Sequence, residues 1–241
     1  MPLRKVNIII PARMSSSRLP GKPLKMIGDK TMIQRVYERC KNSEASEVYV
    51  ATDSQEIYDH VSTFGKCILT PEFDNGTQRV CFAANKMEEK PDYFINVQGD
   101  EPFINDHFLK MFIRDIYSLR AGTILTGASE LKDSHLLNRN SVKLIADKND
   151  HVISFTRSSF FGRANNILKH VGIYGFCFSD LDRIQSILPT EESKNSSLEQ
   201  IAWMENGLSI KYTMCYQEAI CIDTQEDLDL AREMVLLSKI P

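Results

Sequence analysis

A three-layer α/β fold, with a mostly parallel sheet covered by helices on both faces, is the class the sequence predicts, on three observations. Val6 to Ile10 is an unbroken β-branched and apolar run, and Val48 to Thr52 and Phe94 to Val97 repeat it. Strands buried on both faces read this way. Between such runs, apolar residues recur at helical spacing, as in Met32, Ile33, Val36, Tyr37 and Cys40. Strand and helix in repeated alternation build right-handed βαβ units and a parallel sheet.

In chain order, a second helix is expected over Ser54 to Phe64, a third over Thr77 to Glu89 and another from near Asn105. The second half reads less regularly. Ser141 to Ala146, Val152 to Thr156, Val171 to Phe178 and Leu208 to Tyr216 are strand candidates. Some of these join the central sheet, and one or two form a small antiparallel excursion. Leu228, Leu230, Ala231, Met234, Val235 and Leu237 mark a terminal amphipathic helix over Thr224 to Lys239, capped by Asp223 or Thr224. Thr190 to Ser197 and Gly162 to Asn166 are the expected loops. With no repeat, low-complexity tract or linker, residues 1–241 read as one domain.

The 241 residues are 42% hydrophobic and 25% charged, ordinary for a globular chain with a sizeable core. Against 32 acidic residues stand 29 basic ones, so the large basic field of a nucleic-acid binder is absent. No apolar run approaches the roughly 20 residues that span a bilayer. Residues 1–5 are too few for a signal peptide ahead of the first strand. A cytoplasmic protein without membrane insertion or nucleic-acid partner is therefore expected. Six cysteines lie scattered without a C-x-x-C pair and are expected to be reduced core thiols.

Directly after the first strand comes Pro11-Ala12-Arg13-Met14-Ser15-Ser16-Ser17-Arg18-Leu19-Pro20-Gly21-Lys22-Pro23-Leu24. Ligands of open parallel sheets gather beyond the carboxyl ends of strands. Arg13, Arg18 and Lys22, with three hydroxyls and a glycine, are the parts that grip a polyphosphate. Neither G-x-x-x-x-G-K-[ST] nor G-x-G-x-x-G is present, so the loop belongs to another lineage than P-loop enzymes or dehydrogenases.

Carboxylates mark the other strand ends. Asp100, in Asn96-Val97-Gln98-Gly99-Asp100-Glu101-Pro102, sits on a rigid edge and suits Mg²⁺, which takes hard oxygen ligands. Glu101 is either a ligand or part of the turn. Asp223 is either a second ligand or the start of a helix, since Glu226 follows three residues on. Asp53, after Val50-Ala51-Thr52, reads as a helix cap that also shapes the nucleotide pocket.

Taken together, the Arg13-to-Leu24 loop, Val50-Ala51-Thr52-Asp53 and Gln98-Gly99-Asp100-Glu101-Pro102 make the chain resemble the CMP-Kdo synthetases, the 3-deoxy-manno-octulosonate cytidylyltransferases. The resemblance runs nearly end to end. Gly76-Thr77-Gln78-Arg79, Ser141-Val142-Lys143, Phe155-Thr156-Arg157, His170-Val171-Gly172-Ile173-Tyr174-Gly175, Ser197-Leu198-Glu199-Gln200 and Ile222-Asp223-Thr224 follow that family's motifs in order. It implies a nucleotidyltransferase-type, Rossmann-like fold with a mixed, mostly parallel sheet, usually in a homodimer, with the nucleotide part over about 1–120 and the sugar-binding and dimerisation part over about 121–220. It implies CTP as donor, with Arg13, Lys22, Thr77, Arg79 and Gln98 around the nucleotide, where Pro11, Ala12, Thr52, Asp53 and Gly76 are also expected. Arg13, Arg18, Lys22 and Asp100 would be catalytic, and Asp100 and Asp223 would hold Mg²⁺. Arg157, His170, Tyr174, Glu199 and Gln200 would line the pocket of a 3-deoxy-octulosonate sugar acid.

The expected reaction joins CMP from CTP to Kdo, releases pyrophosphate and serves lipopolysaccharide biosynthesis. Departures from the motifs fall mainly on the sugar side. Gln78 replaces an acid, and Ser158-Ser159-Phe160-Phe161-Gly162-Arg163 replaces A-x-I-P-W-x-R. The 8-amino-3,8-dideoxy analogue of Kdo is therefore an alternative acceptor. Rival readings are a cytidylyltransferase for another acceptor and a non-catalytic nucleotide-sensing module.

Overall fold

The structure, a computed structural model, describes residues 4–16, 18–160, 166–217 and 221–237. The first half runs β1 (Val6–Ala12), a short hairpin of β2 (Met26–Ile27) and β3 (Lys30–Thr31), α1 (Met32–Lys41), β4 (Glu47–Thr52), α2 (Gln55–Ser62), β5 (Lys66–Leu69), α3 (Gly76–Lys86), β6 (Tyr93–Val97) and α4 (Asp106–Ile116). The second runs β7 (Thr123–Ser129), α5 (Asp133–Leu136), β8 (Lys143–Ala146), β9 (Val152–Thr156), β10 (Ile167–Cys177), α6 (Leu181–Ser186), α7 (Glu191–Ser196), α8 (Glu199–Glu205), β11 (Ser209–Cys215) and α9 (Gln225–Leu236).

The main sheet has the order β11-β7-β10-β6-β1-β4-β5. Strands β6, β1, β4 and β5 are parallel neighbours, as are β7 and β11. Strand β10 runs antiparallel between β6 and β7. From the far end of β10, β8 and β9 continue the pairing as an antiparallel excursion. A mixed, mostly parallel sheet with a small excursion is thus what the chain forms. Val6, Ile8 and Ile10 of β1 pack with α1, α2 and α4, whereas Ile9 packs on the other face with α3. Both faces are covered, which is why these strands show no polar alternation.

Departures from expectation have local causes. Strand β7 was not among the expected strands, because two threonines and Gly127 interrupt its apolar run. Strand β5 is a half-exposed edge. The expected loop from Thr190 to Ser197 holds α7 instead. Thr190 caps it by accepting from Ser193 N, and Ser197 ends it at φ 53°. Only Ser193 of α7 is buried, so no apolar period was there to read. Of the loop expected over Gly162 to Asn166, residues 162–165 lie outside the described residues. Helix α2 is capped by Ser54, which accepts from Ile57 N, and not by Asp53. Helix α9 is capped by Thr224, which accepts from Asp227 N while Asp227 accepts from Thr224 N. Asp223 is thereby left free of the capping role. The six cysteines are unpaired. Among the described residues no helix is long and apolar enough to cross a membrane.

A third apolar cluster positions the site. Leu19 from the loop after β1 packs with Ile27, Met32, Phe103, Ile222, Leu228 and Ala231. Helix α9 and the segment before it are thereby fastened to that loop. At the end of β6, Gly99 passes so close to β1 that a Cβ would lie 2.8 Å from the Pro11 carbonyl oxygen.

Two variants probe these features by thermal melting. Thr224→Ala is expected to cost about 1 kcal/mol, and Thr224→Ser much less. Gly99→Ala forces the ends of β1 and β6 apart and is expected to cost roughly 1–3 kcal/mol.

Candidate active site

Beyond the carboxyl ends of β1 and β6 lies a cleft of about 260 Å³, lined by Pro11, Ala12, Arg13, Ser15, Ser16, Arg18, Lys22, Pro23, Phe73, Asn75, Gly76, Arg79, Gln98, Gly99, Asp100 and Asp223. Four cationic side chains face two carboxylates, so the cleft favours a polyanion. Its loop is folded on itself. Gly21 N donates to Met14 O and Lys22 N to Leu19 O. At φ 67° Gly21 takes a left-handed turn that suits glycine, and starts the short 3₁₀ helix Lys22–Leu24.

At one end, the Lys22 ammonium donates to Asp100 Oδ2 at 2.7 Å, to the Ile222 carbonyl at 2.9 Å and to Asp223 Oδ1 at 3.2 Å. Burial would lower the Lys22 pKa, but the charge and hydrogen bond of Asp100, with Asp223, outweigh it and hold it above the usual value. Arg18 pairs with Asp223 at 3.1 Å. Arg13 is exposed and has no ion pair among the described residues. Ile222 N donates to Asp100 O at 3.0 Å, which brings the two aspartates together.

Asp100, Asp223 and Cys221 place a ligand atom each within 4.8 Å of one another. Desolvation of its sulfur, and then the carboxylates of Asp100, Glu101 and Asp223, push the Cys221 thiol up although the residue as a whole is exposed, so it stays protonated at neutral pH. The sequence had placed Cys221 among core thiols; it lies beside the carboxylates instead. What remains for a cation is a pair of hard carboxylate oxygens already converging on an ammonium, a donor set that fits Mg²⁺. Glu101 makes the turn: its N donates to Gln98 O, and its carbonyl accepts from Ile104 N. Burial and the charge of Asp100 raise its carboxyl to about 8, so it is neutral at pH 7.

Of the residues expected around the nucleotide, Pro11, Ala12, Arg13, Lys22, Gly76, Arg79 and Gln98 line the cleft, and Thr52, Asp53 and Thr77 do not. Thr52 is fully buried and accepts from Ser54 N. Asp53 pairs with Arg79 Nη2 at 2.5 Å and, with Thr70, fixes that guanidinium. Sequence reasoning missed Phe73 and Asn75. Asn75 caps α3 by accepting from Gln78 N, and an Asn-Gly pair ahead of a helical stripe was the signal available.

Of the five residues expected on the sugar side, Arg157, His170, Tyr174 and Glu199 neighbour one another, and none of the five lines the cleft. The His170 ring meets Phe155 edge-on, lies 5.6 Å from Tyr174, and Tyr174 meets Trp203 edge-on. Burial, aided by the Arg157 charge, lowers His170 to about 3, so it is neutral. Thr126 donates its one hydroxyl proton to Ile173 O and therefore accepts from His170 Nε2, which leaves Nδ1 as the acceptor. Arg157 donates Nε to Ser196 O and Nη1 to Asn140 O. Both Nη2 hydrogens have no partner among the described residues. Burial raises Glu199 to about 7 despite its hydrogen bond from Thr77. Gln200 is buried on α8.

The sequence matches the cytidylyltransferase family over residues 7–211. It is 40% identical to a 3-deoxy-manno-octulosonate cytidylyltransferase of Fusobacterium nucleatum, covering 92% of this chain and 93% of that protein. A protein of the same name from Rickettsia bellii is 36% identical, with 98% of each chain covered. A solved structure of a CMP:2-keto-3-deoxy-manno-octonic acid synthetase complexed with CTP superposes with a TM-score of 0.90 at 32% identity, covering 97% of this chain and 99% of that one. On motifs, cleft and likeness along its length, the chain belongs to the CMP-Kdo synthetase family of cytidylyltransferases.

Proposed function

We propose that this enzyme transfers CMP from CTP to 3-deoxy-manno-octulosonate, forming a CMP-sugar and releasing pyrophosphate. The observation that carries it is the convergence of Arg13, Arg18 and Lys22 with Asp100 and Asp223 in one cleft. The anomeric hydroxyl of the sugar acid attacks the α-phosphate in line. A new O–P bond forms, the bond to the β-phosphate oxygen breaks, and the hydroxyl proton leaves to solvent. Reactions of this type depend mainly on positioning and charge neutralisation.

Arg13, Arg18 and Lys22 hold the triphosphate and neutralise the departing pyrophosphate. Arg79, braced by Asp53, and Gln98 face the nucleotide. Asp100 and Asp223 would hold Mg²⁺, which supplies neutralisation at the α-phosphate and a lowered pKa for the attacking hydroxyl. Arg157 pairs its free Nη2 edge with the sugar carboxylate, and His170 Nδ1 accepts from a sugar hydroxyl. Tyr174, Glu199 and Gln200 complete that pocket. A homodimer in the cytoplasm, serving lipopolysaccharide biosynthesis, completes the reading.

The direct test is Mg²⁺-dependent pyrophosphate release from CTP with Kdo and with 8-amino-3,8-dideoxy-Kdo at matched concentrations. Preference for Kdo is expected. Preference for the amino sugar would reassign the acceptor, and CTP binding without release from either would indicate a nucleotide sensor. Asp100→Asn is expected to lower kcat by about 100-fold or more with the melting temperature little changed. Arg157→Ala is expected to raise KM for the sugar acid and leave that for CTP unchanged; the opposite pattern would move Arg157 out of the sugar pocket.

A further inference from the structure

Asn96 lies in the middle of β6, opposite Ile9 of β1 and Tyr174 of β10, and is fully buried. Alternation along β6 turns it to the face where Phe94 packs with α3 and α8 residues. A primary amide there needs partners at both ends. Its Nδ2 donates to Thr77 Oγ1 at a long 3.4 Å, and its Oδ1 accepts from Gln98 Nε2 at 3.0 Å. Thr77 in turn donates to Glu199 Oε1 at 3.0 Å.

The direction of this chain is set from one end when Glu199 is ionised. Thr77 has a single hydroxyl proton and gives it to the Glu199 carboxylate, so its oxygen accepts from Asn96. Asn96 must then turn its carbonyl to Gln98, and Gln98 must answer with its N–H. The Gln98 Oε1 is left beside Gly76, 3.8 Å from where a Cβ would stand, on the wall of the cleft.

We propose that Asn96 is a positioning residue that, held by Thr77 and Glu199, fixes Gln98 so that the cleft presents a hydrogen-bond acceptor to an N–H or O–H donor of the substrate. Within the cytidylyl-transfer reading, on which this rests, that donor is the amino group of cytosine or a hydroxyl of the sugar acid. A built acceptor rejects a ligand that offers another acceptor in the same place, as uracil would.

The test compares Asn96→Ala, Thr77→Val and Thr77→Ser with the unaltered enzyme. It reads kcat and KM for CTP, UTP and the sugar acid, alongside thermal melting. If cytosine supplies the donor, Asn96→Ala and Thr77→Val lower the CTP-over-UTP ratio of kcat/KM by about tenfold or more. If the sugar acid supplies it, that ratio holds and the sugar KM rises about tenfold. In either case Thr77→Ser, which keeps the hydroxyl, stays within about twofold of the unaltered enzyme. The proposal is overturned if Thr77→Val leaves both KM values and the ratio within about twofold, or if Thr77→Ser fails to rescue. Should Asn96→Ala not fold, the Thr77 pair decides alone. Absence of pyrophosphate release by the unaltered enzyme would instead refute the cytidylyl-transfer reading.

Discussion

The Lys22 ammonium joins the parts of the chain that the site needs. It reaches Asp100 after β6 and both Ile222 and Asp223 ahead of α9, the last 201 positions away in sequence. Two carboxylates this close repel each other, and burying a cation without partners is costly. Each problem is the other's remedy, provided the segments stay in register. That register comes from the backbone bond of Ile222 N to Asp100 O and from Leu19, which anchors the loop against Ile222, Leu228 and Ala231. The apolar cluster and the polar knot therefore form one device, with hydrophobic burial supplying most of its stability.

The sheet makes this device useful. Parallel neighbours β1 and β6 end at the same edge, so the loop after one and the turn after the other share a cleft. The close pass of Gly99 against Pro11 keeps that edge narrow. Cations outnumber carboxylates in the cleft, so a triphosphate is drawn in. The carboxylate pair at its end fits a divalent cation in place of the ammonium. Behind this edge, β10 runs against the parallel strands and carries Tyr174 opposite Asn96, with the His170 ring beside it.

Much of this was legible in the sequence, and the limits have physical reasons. Strands β1, β4 and β6 announced themselves because double burial demands continuous apolar runs. Strand β7 did not, since Gly127 and two threonines fit tight packing that periodicity does not encode. The basic loop and Asp100 were readable from position at strand ends. Asp223 was ambiguous, because a carboxylate ahead of a helix also suits a cap; only the Thr224–Asp227 exchange releases it. Asp53 was placed at the nucleotide pocket by its position and Thr77 by resemblance; neither lines the cleft, and they bond instead to Arg79 and Asn96. Sequence motifs record that a residue matters to a site without distinguishing contact from support.

The pairing of Asp100 with Asp223 as a cation site is tested most directly with Mn²⁺, which substitutes for Mg²⁺ and can be followed by its effect on water-proton relaxation. Mn²⁺ would be titrated, with CTP present, into the unaltered enzyme and into Asp100→Asn and Asp223→Asn. The expected result is saturable binding that weakens strongly in both variants. Equal affinity in all three proteins would contradict the carboxylate pair as the metal site and leave it to the side-chain cations Lys22 and Arg18.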